Sequence, residues 1–152
     1  MHKMATVLFA TFICSPVLAD DAALPSLKPQ SGAQLVVDEH VDALNNCNWE
    51  RLMAQYPEEI EIHLPDGVVV AGRKAVGDLF AGFCKQRADG GLNGLKFTPE
   101  HVYTVEDTVN VQWRAEADFL SEAYKGSDAY VTKDGLMYAQ VTTFNGADLK
   151  FK

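Results

Sequence analysis

The hydrophobic period of the chain changes twice within residues 34–65, and that double switch limits the fold more than any other stretch. Val37, Val41 and Leu44 recur at helical spacing before Asn45-Asn46-Cys47-Asn48 breaks the pattern. Trp49, Leu52, Met53 and Tyr56 then start a second, short amphipathic helix. Asn48 suits its N-cap, because a short side-chain carbonyl can accept a free amide of the first turn. Pro57 ends it. Ile60, Ile62 and Leu64 next alternate with Glu59, Glu61 and His63, the period of a strand with one face buried. Two helices feeding such a strand form one wall and the floor of a small cup.

After the turn Pro65-Asp66-Gly67, residues 68–71 are expected to pair back as a hairpin. Residues 73–87 read as a third helix with Val76, Leu79, Phe80, Phe83 and Cys84 on one face. Gly77 and Gly82 inside it each cost about 1 kcal/mol against Ala, which implies close packing there. Asp89-Gly90-Gly91 and Asn93-Gly94 mark a loop, and from Leu95 onward the period is that of strands. Val109, Val111, Trp113, Ala115, Ala117 and Phe119 share one face, against Asn110, Gln112, Arg114, Glu116 and Asp118 on the other. Gly126 is read as opening the next strand, and Asp134-Gly135 as the hairpin before the last, at 136–144. The order gives an α+β fold: helices of residues 32–46, 49–56 and 73–87 on one face of a curved antiparallel sheet within 95–145.

Residues 1–19 have the marks of a signal peptide. His2 and Lys3 precede an apolar run from Met4 to Cys14, and Val17 and Ala19 supply small residues for a cut after Ala19. The run is too short for a spanning helix, so no membrane association is expected once it is removed. The expected location is periplasmic or extracellular. Residues 20–31, with Pro25 and Pro29, read as an extended lead-in, and 32–152 as one domain. The net charge is −8, and Lys3 is the only Lys or Arg lost with the leader. Such an acidic chain repels phosphate backbones, so nucleic acid is not an expected partner. With Cys14 gone, Cys47 and Cys84 remain, which in an oxidising compartment suggests one disulfide. No CxxC or HxxxH spacing accompanies them, so no metal and no cofactor are expected.

The element order, with HVDALNNCNWERLMAQYPEEIEIHLPDG, GRKAV and DAYVTKDGLMYAQVTTF, resembles the NTF2-like, or SnoaL-like, cone-shaped superfamily over about residues 33–146. The resemblance implies three N-terminal helices on a strongly curved antiparallel sheet. It also implies that the helices carrying Cys47 and Cys84 are neighbours. It is specific for fold and poor for function, because the superfamily holds isomerases, dehydratases, cyclases, epoxide hydrolases and binding modules.

Laid on ketosteroid isomerase, the chain departs from the pattern at two of three positions. That family places a Tyr on the first helix, a basic Asp just before the proline and a protonated Asp on a later strand. Here His40 and Leu64 stand at the first two and Asp128 at the third. Leu64 cannot accept a proton, so that chemistry does not carry over.

Two readings follow. In one the cup binds a small, partly apolar ligand, with Tyr56, Leu64, Trp113 and Tyr130 as contacts. In the other His40 and Asp128 act as acid and base in a lyase or isomerase. The plain alternative for that pair is a structural histidine bonded to a buried carboxylate. His63 should face outward, and Arg114 with Glu116 should belong to a solvated or dimer-facing sheet surface. A homodimer through the sheet face is compatible with either reading.

Overall fold

The computed structural model describes residues 23–152, so the leader and its expected cut lie outside the described residues. Helix α1 (Ala33–Asn45) buries Val36, Val37, His40, Ala43 and Leu44 at intervals of three and four, which is why it packs as one stripe. Cys47 takes a positive φ of 47° and reverses the chain into α2 (Trp49–Met53). Asn48 caps that helix as expected, its side chain accepting the Arg51 amide at 3.1 Å. Helix α2 stops at Met53 rather than at residue 56, and Gln55 and Tyr56 belong to the buried turn that follows.

Helix α3 (Arg73–Phe83) also ends early, with Cys84 as its C-cap instead of continuing to residue 87. The next loop folds back and caps it. Leu92 N–H donates to the Phe83 carbonyl at 2.7 Å and Asn93 N–H to that of Lys85 at 3.1 Å, so the terminal carbonyls need no further helical turn. Gly77 brings α2 and α3 together, since a methyl group there would sit 3.1 Å from the Met53 sulfur. Gly82 faces open space, contrary to the close packing expected of it. A Cys47–Cys84 disulfide, with Cα atoms 5.5 Å apart, ties the α1–α2 turn to the end of α3.

Strands β1 (Glu61–His63), β2 (Val69–Ala71), β3 (Lys96–Val105), β4 (Thr108–Glu116), β5 (Tyr124–Lys133) and β6 (Leu136–Thr143) form one curved, unclosed sheet. Its order is β2-β1-β6-β5-β4-β3. The expected hairpin of β1 and β2 forms, and four of the five pairings are antiparallel. The fifth corrects an all-antiparallel reading: β1 runs parallel to β6. The chain between them holds a strand, a helix and three more strands, ample length for the crossover that a parallel pair needs.

Two further boundaries differ from the expectation. Gly126 lies inside β5, opposite Trp113, rather than opening it. Strand β4 ends at Glu116, so Ala117 and Phe119 fall in the following loop. There Leu120 bridges to Phe151, and the Arg87 guanidinium stacks on the rings of Phe119 and Phe151. The lead-in is pinned to the body. Lys28 N–H donates to the Ala54 carbonyl at 2.8 Å, Gln30 N–H to that of Gly135 at 2.9 Å, and buried Arg73 donates to the Pro25 carbonyl. Helix α1 packs across β3 to β6, and among the described residues no helix covers the opposite sheet face. Among the described residues no helix is long and apolar enough to cross a membrane.

Candidate functional site

Between the helices and the concave sheet face lies a cavity of about 330 Å³. Alternation decides what faces it. On β6 Gln140, Thr142 and then Phe144 point inward, and on β5 Asp128 and Tyr130 do, opposite Val111 and Val109 of β4. Helix α3 contributes Leu79, Phe80 and Phe83, so most of the wall is aliphatic or aromatic. Among the described residues Asp128 is the sole lining carboxyl group, and no His, Lys, Arg, Cys or Glu lines the cavity.

Asp128 is 6 % exposed, and its Oδ2 accepts two bonds, from the Trp113 Nε1–H at 2.9 Å and the Tyr130 hydroxyl at 2.9 Å. Oδ1 is buried and has no hydrogen-bond partner among the described residues. Burial pushes the carboxyl up from its ordinary range, while the side chains of Thr142, Tyr130, Trp113 and Gln140 work against that rise. The protonated form is therefore favoured relative to an ordinary aspartic acid. The Tyr130 phenol is held well up, first by burial and then by the Asp128 charge. The result is a neutral-leaning polar spot on an apolar wall.

The structure sets His40 and Tyr56 one layer behind this wall. His40 is fully buried, its Nδ1 2.9 Å from the Tyr56 hydroxyl, and it does not line the cavity. Its ring packs against Tyr130 and Phe80 with centroids 5.4 and 5.7 Å away. Burial lowers its pKa to about 4, and Nε2 has no hydrogen-bond partner among the described residues. Tyr56 stacks on Phe80 at 5.7 Å and likewise stays out of the cavity. No ion pair joins His40 to Asp128; Tyr130 links them, with its ring on the histidine and its hydroxyl on the carboxylate. The partner of the buried histidine is a phenol, not the carboxylate considered from sequence.

Leu64, Trp113 and Tyr130 line the cavity with Asp128. His63 is on the outer face, 3.0 Å from Glu61, and His101 is exposed on β3. Arg114 bonds Glu100 at 3.1 Å and pairs with Glu116, while Lys125 reaches Glu100 at 3.5 Å, a charged network on the outer sheet face. The sequence reading missed Gln140 and Thr142, and it placed Phe80 and Phe83 on the apolar face of the third helix without assigning them to the cavity. Alternation through the last strand carried the signal for Gln140 and Thr142, since it puts both on the inward face with Phe144. Among the described residues no cluster of His, Cys, Asp or Glu could hold a metal ion.

The profile of the SnoaL-like domain matches residues 37–146. No curated protein matches the sequence. Solved structures share the fold at low identity. An NTF2-like protein of unknown function from Cytophaga hutchinsonii is 15% identical, with a TM-score of 0.63 over 80% of this chain and 96% of that one. An LEH-like epoxide hydrolase of Mycobacterium tuberculosis is 14% identical, with a TM-score of 0.61 over 77% and 85%. A computationally designed 17-OHP binder is 18% identical, with a TM-score of 0.64 over 81% and 98%.

Proposed function

The chain belongs to the SnoaL-like family, and from that premise we propose that it is an exported, single-domain protein that binds a small, partly apolar molecule in its cone without transforming it. The observation that carries this reading is the composition of the wall: Asp128 stands without a second acid or base other than tyrosine phenols. Proton transfer on a substrate needs a group that gains a proton and one that loses it, both within reach. His40 is the natural second group, and it lies behind Tyr130 with a depressed pKa. The volume suits a ligand of two to four fused rings, and Asp128 gives it one polar anchor.

Export is supported by the apolar leader and by the Cys47–Cys84 bond, which persists in oxidising compartments. The outer sheet face exposes Val69, Tyr103, Val105, Val131 and Val141, which supports self-association through that face. Native mass spectrometry of protein purified from the periplasm or medium tests the binding reading. A co-purified small molecule that dissociates unchanged, from a chain beginning at Asp20, is the expected result. Conversion of that molecule on incubation with fresh protein overturns the non-catalytic reading.

A further inference from the structure

A second, more open recess of about 390 Å³ is bounded by Pro65, Asp66 and Val68 on the β1–β2 turn and by Asn145 after β6. It shares Leu64, Phe144 and Gly146 with the cone cavity, so those three residues form the partition between the two spaces. The wall is continuous through them. Gln140 and Thr142 of the last strand and Phe144 just after it face inward at alternate positions, a run of about 13 Å, and Gly146 follows at the rim. The recess therefore adjoins the cone cavity across Leu64, Phe144 and Gly146.

The two spaces differ in charge. The cone holds Asp128 in a largely apolar wall, whereas Asp66 stands exposed in the recess with no ion pair among the described residues. Among the described lining residues of the recess, Asn145 alone carries a side-chain donor, and it is a neutral amide. The Asn145 side-chain oxygen already accepts the Ala147 amide, and its backbone carbonyl accepts the Tyr124 hydroxyl. Among the described residues no Lys, Arg or His lines the recess.

We infer that the ligand is elongated, with an apolar body in the cone and a neutral or cationic polar end in the recess beside Asp66, and that molecules ending in carboxylate or phosphate are disfavoured. This rests on the binding reading above and names its ligand class. A unit charge a few ångströms from an exposed carboxylate changes affinity by about three- to tenfold at low ionic strength. Salt reduces the effect.

Three probes with one apolar body test it: 1-pyrenebutanol, 1-pyrenebutanoate and a (4-pyrenylbutyl)trimethylammonium salt, titrated by fluorescence into the mature protein. The expected order puts the butanoate about three- to tenfold below the other two in low salt, with the gap closing as salt rises. The variant Asp66→Asn keeps a residue that tolerates the φ of 66° at this position, so it folds, and it should narrow the gap. Equal affinity of all three probes, or an unchanged gap in Asp66→Asn, overturns the charge selection while leaving the binding reading intact. Failure of all three probes to bind overturns both.

Discussion

Gly126 lies directly across the β4–β5 ladder from Trp113, and the indole occupies the space that any side chain at 126 would fill. A methyl group there would sit 2.3 Å from Trp113 Cζ2 and 2.8 Å from the Thr143 carbonyl oxygen. The missing Cβ is thus what lets the indole lie flat enough for its N–H to reach Asp128. The substitution Gly126→Ala should destabilise the fold by about 1–3 kcal/mol through overpacking. Urea denaturation measures the loss, and unchanged stability would mean that the ring shifts freely.

Asp128 is favoured in its protonated form by burial, so its folded pKa lies above its unfolded one. Its contribution is then full below the unfolded pKa and is lost as pH rises through the folded value. Asp128→Asn keeps an oxygen to accept the bonds from Trp113 and Tyr130 and carries no charge. The variant should be more stable than the parent at pH 8, with the advantage fading as the pH is lowered. Melting temperatures of both proteins across that range check the sign.

Leu64 separates the cone cavity from the outer recess together with Phe144 and Gly146. Replacing it with Trp should fill the boundary between the two spaces and block any ligand that spans both. The expected outcome is loss of 1-pyrenebutanol binding by tenfold or more with a far smaller change in melting temperature, because Leu64 is only half-buried. Retained affinity would show that the ligand does not span that boundary.

The layers of the fold were legible because burial is written in periodicity: helical stripes at 37, 41 and 44, and alternation from 109 to 115. The parallel β1–β6 pair was not, since a three-residue strand carries no signal of its partner's direction. The end of α3 was missed because its caps come from the returning loop, a tertiary effect. For the site, resemblance supplied Asp128 and Leu64, but depth was invisible. His40 and Tyr130 both face inward, and whether a residue touches the cavity or stands a layer behind depends on packing between α1, α3 and the sheet.

The disulfide closes a loop with a sequence separation of 37. On the chain-entropy account that stabilises the fold by about 3–4 kcal/mol. The double variant Cys47→Ser, Cys84→Ser should lose about that much in chemical denaturation, and reduction of the parent should reproduce the loss. Unreduced protein treated with an alkylating agent should take up no label; two labelled thiols would refute the bond.

The last expectation concerns acid stability and rests on His40. Its folded pKa, lowered by burial to about 4, lies below the ordinary value of 6.5. Between those values the unfolded chain binds a proton that the folded one does not, so stability falls with pH across that window and is full above it. A difference of that size corresponds to as much as about 3 kcal/mol. Asp128 pulls the other way over part of the same range, because its raised pKa makes the fold take up protons as the pH drops. The cleaner measurement is therefore made in the Asp128→Asn background, where stability should drop between pH 6.5 and 4. Adding His40→Gln, which keeps a hydrogen-bonding group for the Tyr56 hydroxyl but does not titrate, should flatten that drop. If the slope persists in the double variant, another group carries it and the buried histidine is not the acid-sensitive point of the fold.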